Sequence, residues 1–333
     1  MRAALPPHRR SLLSRERFDW AMKVVHSRAF SIPPGGFAAG STRAGLRHRH
    51  NAFRGSQNWP SKFALVPVLD MTNHGSGENL ANFRYDDHAG CFELVAGPDG
   101  YEEGAQVLVS YGELTNDDLY LLYGFVQAGN PYDVFEVEDL VEWVAEHHSV
   151  REWNLFDAKL RLLERIGLCY EGRKFHLSVS QIDPDLVAAL RILLADVNEF
   201  RRARAMIEFE EPRDELSVGG FKREVPQGWF EPLTASNERT VWHRIASKCS
   251  RTLEEFPTSI EFDEEMIILH AASSVPSDPV HANSLLFRVE KKRILRAAAL
   301  LAKEHHIKLD MGSDVIESPE FARPRTDLRA DES

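Results

Sequence analysis

Four separated segments of the chain carry side chains whose types and order could serve a chemical step. They are Ser27-Arg28-Ala29-Phe30, then Leu65-Val66-Pro67-Val68-Leu69-Asp70-Met71-Thr72-Asn73-His74, then Val109-Ser110-Tyr111-Gly112 with Asn116, and then Tyr123-Gly124-Phe125. Taken singly, an Asn-His pair is typical of a turn and a Tyr-Gly pair of a strand end. Taken together, their order and content favour one shared site over four unrelated turns and strand ends.

Most of these segments lie in or beside short runs that the sequence predicts to be β-strands. The runs span Phe63 to Leu69, Phe92 to Ala96 and Gln106 to Tyr111, and Gly, Pro, Asn or Asp closes each one. Helical spacing of Phe18, Met22 and Val25 predicts an amphipathic helix before them, from Phe18 to Phe30. Residues Gly35 to Lys62 lack apolar periodicity, so we expect a solvated loop insertion over about residues 33–62.

Longer helices are predicted beyond about Tyr132, so the domain boundary is expected near residues 135–150. One helix is predicted from Leu155 to Ile166, ending at Gly167, and a second begins at Asp183-Pro184 with an apolar stripe that reaches Val197. A third is predicted from the spacing of Val241, Ile245, Cys249 and Leu253 before Pro257, and a fourth runs from about Asn283 to Lys303. Glu208 to Phe230 is expected to be a connecting loop, and Gly312 to Ser333 a disordered tail.

Composition narrows the classes of partner. With 51 acidic against 40 basic side chains, the formal charge of -11 offers no overall field to attract a phosphate backbone, so nucleic acid is not an expected partner. No apolar run approaches the ~20 residues that span a bilayer, so no membrane partner is expected either. The cysteines Cys91, Cys169 and Cys249 lie too far apart in the sequence for a CxxC zinc cluster or a disulfide framework. Neither a metal nor an oxidising compartment is therefore indicated.

The ordered set of segments resembles the SET-domain methyltransferases, in the branch that includes the plant Rubisco large-subunit lysine methyltransferase and the actin-histidine methyltransferase. In that branch S-R-x-F is followed by V-P-x-x-D-x-x-N-H and then by a strand ending in tyrosine. The resemblance implies S-adenosylmethionine as cofactor. It places Arg28, Asp70, Asn73 and His74 at cofactor-supporting positions, Tyr111 at the catalytic tyrosine, and Tyr123 and Phe125 at the walls of the target side-chain channel.

The later part of the chain is similar to the Rubisco-methyltransferase-type substrate-binding domain, which is all helical. The matching segments are Thr234 to Phe256, Pro257 to Glu265 and Val289 to Leu295. We therefore expect an α+β protein with a partial SET β-fold over residues 1–135, an all-helical substrate-binding domain over 150–308 and a disordered tail over 312–333. The resemblance implies a non-histone protein substrate, such as Rubisco, a ribosomal protein or a translation factor. The expected location is the cytoplasm, the nucleus or the plastid.

Two departures from the family pattern bear on activity. Family members open the SET core with a Gly-x-Gly strand pair, whereas here Gly75-Ser76-Gly77 directly follows His74 in a loop, so we expect this chain to lack the front half of the core. Position 114 is leucine where the actin-histidine enzyme has arginine, which favours lysine over histidine as the target. Two interpretations follow. The chain is the rear part of a protein-lysine methyltransferase, inactive alone, or it is a non-catalytic SET-derived protein-interaction module.

Overall fold

The computed structural model describes residues 14–32, 62–86, 89, 91–138, 140–141, 143–144, 153–169, 172–209, 231–272 and 278–310. The chain divides into two compact units, Met1–Tyr132 and Asp133–Ser333. This division falls just before the boundary region expected from the sequence. The predicted loop insertion, the loop after Glu208 and the predicted disordered tail lie almost wholly outside the described residues.

Short strands dominate the described part of the first unit. The elements in chain order are α1 (Arg15–Arg28), β1 (Phe30–Ile32), β2 (Lys62–Ala64), a 3-10 turn (Leu69–Met71), β3 (Asn73–His74), β4 (Asn82–Asp86), β5 (Cys91–Val95), β6 (Leu108–Val109) and α2 (Asn116–Tyr123). Strands β1 and β2 pair antiparallel, as do β4 and β5. Strands β3 and β6 pair parallel, with Asn73 opposite Leu108 and His74 opposite Val109. This parallel pairing brings the Asn-His pair beside the strand that leads to Tyr111.

The first predicted β run is shorter than the sequence suggested. Strand β2 ends at Ala64, and the chain turns through Pro67 and Val68 into the 3-10 turn at Leu69. Proline has no N–H with which to extend a ladder. Val68 then takes φ 76°, a left-handed conformation that is costly for a β-branched residue. The prediction of strand through Leu69 was therefore wrong from Leu65 onward.

Helices form most of the second unit. They are α3 (Trp153–Arg165), α4 (Pro184–Leu194), α5 (Val197–Phe209), α6 (Ala235–Glu255), α7 (Ile260–Ala272) and α8 (Pro279–Asp310), with β7 (Phe135–Val137) and β8 (Phe175–Leu177) paired antiparallel. Helix α4 lies at the centre of the core, with Leu186, Leu190 and Leu193 at 0% exposure. The predicted α+β class is confirmed, and the two-stranded β7–β8 pairing is an addition to the helical domain that the sequence predicted.

The predicted helix that opens at Asp183-Pro184 ends earlier than its apolar stripe suggested. Asp183 caps α4 through the Asp185 N–H and Pro184 occupies the first turn, as expected. The buried Lys159 Nζ donates to the carbonyls of Leu193 at 2.8 Å and Ala195 at 2.6 Å, which satisfies the helix end. Asp196 then accepts from the N–H groups of the next turn and starts α5, so Val197 belongs to a second helix.

Across the described part of the chain, no helix is long and apolar enough to cross a membrane.

Candidate functional site

A cavity of about 350 Å³ in the first unit gathers the side chains that the sequence singled out. Its lining consists of Ser27, Arg28, Asn73, His74, Tyr111, Tyr123 and Phe125. All of the predicted site residues except Asp70 are among them. Because they come from positions far apart in the chain, their convergence is a result of the fold rather than of sequence proximity.

Asp70 lies behind the cavity lining and contacts it through its backbone. The Arg28 Nη1 donates to the Asp70 carbonyl oxygen at 2.5 Å, and it lies 3.4 Å from the Met71 sulfur. Arg28 is the last residue of α1, and Asp70 is in the 3-10 turn, so this hydrogen bond fixes the guanidinium at the cavity. Asp70 was predicted at a cofactor-supporting position, and the structure links it to Arg28 through its main chain.

His74 is held by hydrogen bonds at both ring nitrogens. The Tyr111 N–H donates to His74 Nδ1 at 3.1 Å, and His74 Nε2 lies 2.8 Å from Gln127 Oε1. Burial lowers the pKa of His74, an effect that the Gln127 hydrogen bond partly offsets by raising it. The imidazole is consequently neutral near pH 7 and acts as a fixed bridge between strand β3 and the Tyr111 backbone.

Gly75 shows why the chain can pass so close to β6 after His74. Its N–H donates to the Val109 carbonyl at 3.0 Å, and a Cβ at this position would lie 2.8 Å from the Leu108 Cβ. Any side chain here would push the two strands apart. The first glycine of Gly75-Ser76-Gly77 therefore supports the β3–β6 pairing that carries Asn73 and His74.

Three aromatic rings cluster beside His74, two in contact with it and the third, Tyr123, in contact with Tyr111. The Tyr111 ring centroid lies 5.2 Å from that of His74 and 4.7 Å from that of Tyr123, and Phe125 lies 5.8 Å from His74. The Tyr111 hydroxyl donates to the Thr72 carbonyl oxygen at 2.8 Å. Ring faces at these separations form an apolar wall whose quadrupoles attract a cation or a methyl group bearing partial positive charge.

Both tyrosine hydroxyls remain protonated at neutral pH. Burial raises the pKa of Tyr111, although the positive charge of Arg28 acts in the opposite direction. Burial also raises the pKa of Tyr123, with Tyr111 and Asp118 adding to the shift. The phenols can therefore donate and accept hydrogen bonds, but neither serves as a phenolate base.

Helix α2 and its ends place Tyr123 and Phe125. Thr115 caps the start of the helix by accepting from the Asp118 N–H at 3.2 Å. Gly124 ends it in the left-handed conformation, with φ 77°, so that the residues on either side can both face the cavity. A residue with a Cβ would be strained at this position.

Two residues that support the site lack a clear sequence signal. No motif includes Gln127, and the motif that includes Asn116 predicts no role for it. The Asn116 amide bonds the backbone of Gln127 in both directions, accepting from its N–H at 3.0 Å and donating to its carbonyl at 3.1 Å. An asparagine at the start of a helix is an ordinary feature, so no local signal distinguished it.

Within the described ranges, no group of three or more His, Cys, Asp and Glu side chains is arranged to hold a metal ion.

Comparisons with known proteins find a family match within the second unit. Residues 152–295 match the family model described as Rubisco LSMT substrate-binding. Two solved structures share the fold of the chain. The SET domain of LSMT bound to lysine and AdoHcy has a TM-score of 0.53 and 17% identity, and the match covers 90% of this chain and 57% of that one. Rubisco LSMT bound to AdoMet has a TM-score of 0.52 and 18% identity, and the match covers 92% of this chain and 59% of that one.

Curated relatives are protein methyltransferases. Human N-lysine methyltransferase SETD6 is 25% identical over 220 residues, which cover 62% of this chain and 42% of the relative. The actin-histidine N-methyltransferase of Gallus gallus is 25% identical over 250 residues, covering 74% and 38%. The chain thus spans about two fifths of the length of these relatives.

In this chain a small, strand-rich unit with an aromatic cavity precedes a helical unit that matches a family model described as substrate-binding. The predicted resemblance to the SET-domain methyltransferases of the Rubisco large-subunit methyltransferase-like class is confirmed.

Proposed function

We propose that this chain carries the catalytic pocket of an S-adenosylmethionine-dependent methyltransferase that modifies a lysine side chain of a non-histone protein. The observation that carries the proposal is the single cavity in which Arg28, Asn73 and His74 meet the aromatic group Tyr111, Tyr123 and Phe125. The solved relatives bound to AdoMet, AdoHcy and lysine support it.

The residues present fit the proposed cofactor. A cavity of about 350 Å³ lies within the ~300–1,000 Å³ range of ligand pockets. The guanidinium of Arg28 suits a carboxylate, and the ring faces suit a sulfonium. When bound, S-adenosylmethionine would supply a methyl group activated by the positive sulfur. Asn73 and His74 would seat it, and Asp70 would act indirectly by holding Arg28 in place.

The charges around the cavity favour a neutral amine as the acceptor. A lysine with pKa ~10.4 must lose its proton before it can attack, which costs about 4 kcal/mol near pH 7.5. The lining residues include Arg28 and no carboxylate, so they offer no fixed negative charge to hold an ammonium ion. Desolvation and the nearby guanidinium both favour the neutral form.

Tyr111 is proposed to orient the amine. Its hydroxyl proton is directed to the Thr72 carbonyl, which presents the oxygen as an acceptor toward an N–H of the target. Accepting that N–H would turn the nitrogen lone pair toward the methyl group, while Tyr123 and Phe125 hold the alkyl chain. This is catalysis by positioning, in which alignment of the reacting atoms supplies the rate.

A second interpretation keeps protein binding without catalysis. The match of residues 152–295 to a substrate-binding family supports it as well, because such a unit could retain a partner surface after loss of transfer. The two interpretations differ in whether the cavity binds a methyl donor.

The test combines calorimetry with S-adenosylmethionine and tritiated methyl transfer to a protein extract. It uses the 333-residue chain and the same chain preceded by a Gly-x-Gly strand pair, called the extended chain. The site variant Asn73→Ala/Tyr111→Phe of the extended chain is compared with the matched control Asn82→Ala/Tyr132→Phe, which changes exposed residues outside the cavity lining. We expect the extended chain to bind the donor and to yield label recovered as methyl-lysine, both reduced only in the site variant, and we expect the 333-residue chain to show neither. Label in methyl-histidine would overturn the lysine target. Absence of donor binding by both chains would favour the interaction module.

A further inference from the structure

The hydrogen bonds of His74 define its tautomer. A backbone N–H can only donate, so the contact with the Tyr111 amide makes His74 Nδ1 the acceptor. The ring proton of the neutral imidazole then lies on Nε2, and Gln127 Oε1 at 2.8 Å accepts it. The opposite tautomer would set two donors against each other at Tyr111. An unpaired donor costs free energy, so this contact favours the tautomer with the proton on Nε2.

Gln127 is itself fixed in place. Its backbone makes two hydrogen bonds with the side chain of Asn116, which is fully buried. Asn130 donates to the Leu114 carbonyl at 2.8 Å and lies 3.5 Å from the Asn116 oxygen. The polar chain therefore runs from this buried asparagine pair through Gln127 and His74 to the backbone of Tyr111. Gln127 does not line the cavity.

We propose that Gln127 is a positioning residue for Tyr111: by accepting the His74 Nε2 proton, it fixes the ring so that Nδ1 holds the Tyr111 N–H. The catalytic consequence rests on the proposed function, since it concerns the placement of the Tyr111 hydroxyl. The hydrogen-bond chain itself can be tested without cofactor or substrate.

Replacement of Gln127 by methionine keeps the length of the side chain but removes the amide acceptor. Replacement by glutamate restores an acceptor oxygen at the same place. If Gln127 only filled space, both variants would disturb the site alike. If Gln127 positions His74, Gln127→Met loses that effect and Gln127→Glu keeps it. Gln181→Met is the matched control, because Gln181 is exposed and belongs to the second unit.

The measurement is ¹⁵N NMR of the His74 ring at neutral pH, with the signals assigned by their loss in His74→Ala. We expect the wild-type chain, Gln127→Glu and Gln181→Met to carry the proton on Nε2, and we expect the Tyr111 amide to be protected from exchange. In Gln127→Met the ring should report mixed tautomers, and the Tyr111 amide protection should fall. A proton on Nδ1 in the wild-type chain, or a Gln127→Met ring spectrum identical to wild type, would overturn the proposal.

Methyl transfer supplies the second readout. If the proposed function holds, Gln127→Met should lower kcat about tenfold through misplacement of Tyr111, and Gln127→Glu should recover most of it. Unchanged kcat in Gln127→Met would overturn the positioning role. If the extended chain transfers no methyl group while the NMR result is as expected, the proposed function fails and the hydrogen-bond chain stands.

Discussion

The ammonium of Lys292 lies 2.6 Å from Oδ2 of Asp263, and both side chains are almost wholly excluded from solvent, at 1% and 0% exposure. Asp263 belongs to α7 and Lys292 to α8, so the pair ties these helices together. Arg288 bonds the same carboxylate through its Nε at 2.7 Å, and Thr258 donates to Oδ1 at 2.7 Å. Lys292 also donates to the Thr258 carbonyl at 2.5 Å.

Asp263→Asn should therefore destabilise the protein by about 3–5 kcal/mol, because it leaves the buried Lys292 without its counter-charge. Urea unfolding followed by circular dichroism measures the change. Glu264→Gln on the same helix is the control. The Glu264–Arg293 ion pair is 37% and 41% exposed, so its loss should cost under ~1 kcal/mol. Equal losses in the two variants would contradict the role assigned to burial.

Acid should weaken the same pair. Burial raises the pKa of Asp263, but the hydrogen bonds from Arg288, Lys292 and Thr258 outweigh it and lower the pKa from 3.8 to about 2. A depressed carboxylate pKa stabilises the folded state above pH 3.8, and that stability is lost as the pH falls toward 2. The contribution is about 2 kcal/mol. The difference in unfolding free energy between wild type and Asp263→Asn should narrow as the pH falls from about 5 to about 2.5. A difference that stays constant would show that the Asp263 carboxylate is not the source of the acid sensitivity.

Helix α7 illustrates what the sequence could not reveal. Residues Ile260–Ala272 include buried Asp263 and exposed Phe262, Ile268 and Leu269, so the apolar residues form no single stripe. Periodicity predicts helices from such stripes, and this segment was noted only as part of a family resemblance. By contrast, α4 was found at its start because Asp183 and Pro184 are a local capping signal.

In the extended chain, Tyr111→Phe should lower the methyl-transfer rate by more than tenfold and leave the affinity for S-adenosylmethionine nearly unchanged. The hydroxyl is proposed to act on the transfer geometry, and its removal leaves the ring in place. Single-turnover transfer and calorimetry on the same preparations separate the two quantities. Tyr132→Phe, at an exposed tyrosine, is the control. Undiminished turnover would remove Tyr111 from the catalytic role.

Asn73→Ala should instead weaken cofactor binding. A polar partner left unpaired in the complex costs about 1–3 kcal/mol, which corresponds to a rise in Kd of roughly five- to 150-fold. Calorimetry of the extended chain with S-adenosylmethionine measures this rise in Kd. The strand residue Asn82 is exposed, and Asn82→Ala controls for loss of an asparagine near the site. If both variants bound the cofactor as well as wild type, Asn73 would be only a turn residue.

The site was predictable to the extent that motif order identified its side chains. Arg28, Asn73, His74 and Tyr111 were named from the sequence and line one cavity. Gln127 was not, because its role depends on a hydrogen bond to a histidine 53 positions away. The β7–β8 pairing was missed for the same physical reason, since Phe135–Val137 and Phe175–Leu177 are joined across an intervening helix. Non-local contacts leave no periodicity in either segment.

The second unit should fold when expressed alone as residues 133–310. Its apolar cluster runs from Val137 to Ala302 and lies entirely within the unit, so the main source of its stability is retained. Thermal circular dichroism should show one cooperative transition. Leu190→Ala, at 0% exposure, should lower its stability by about 2–5 kcal/mol. Leu300→Ala, at 56% exposure, should change it little. A non-cooperative melt of the parent fragment, or equal effects of the two leucine variants, would show that this cluster does not form an independent core.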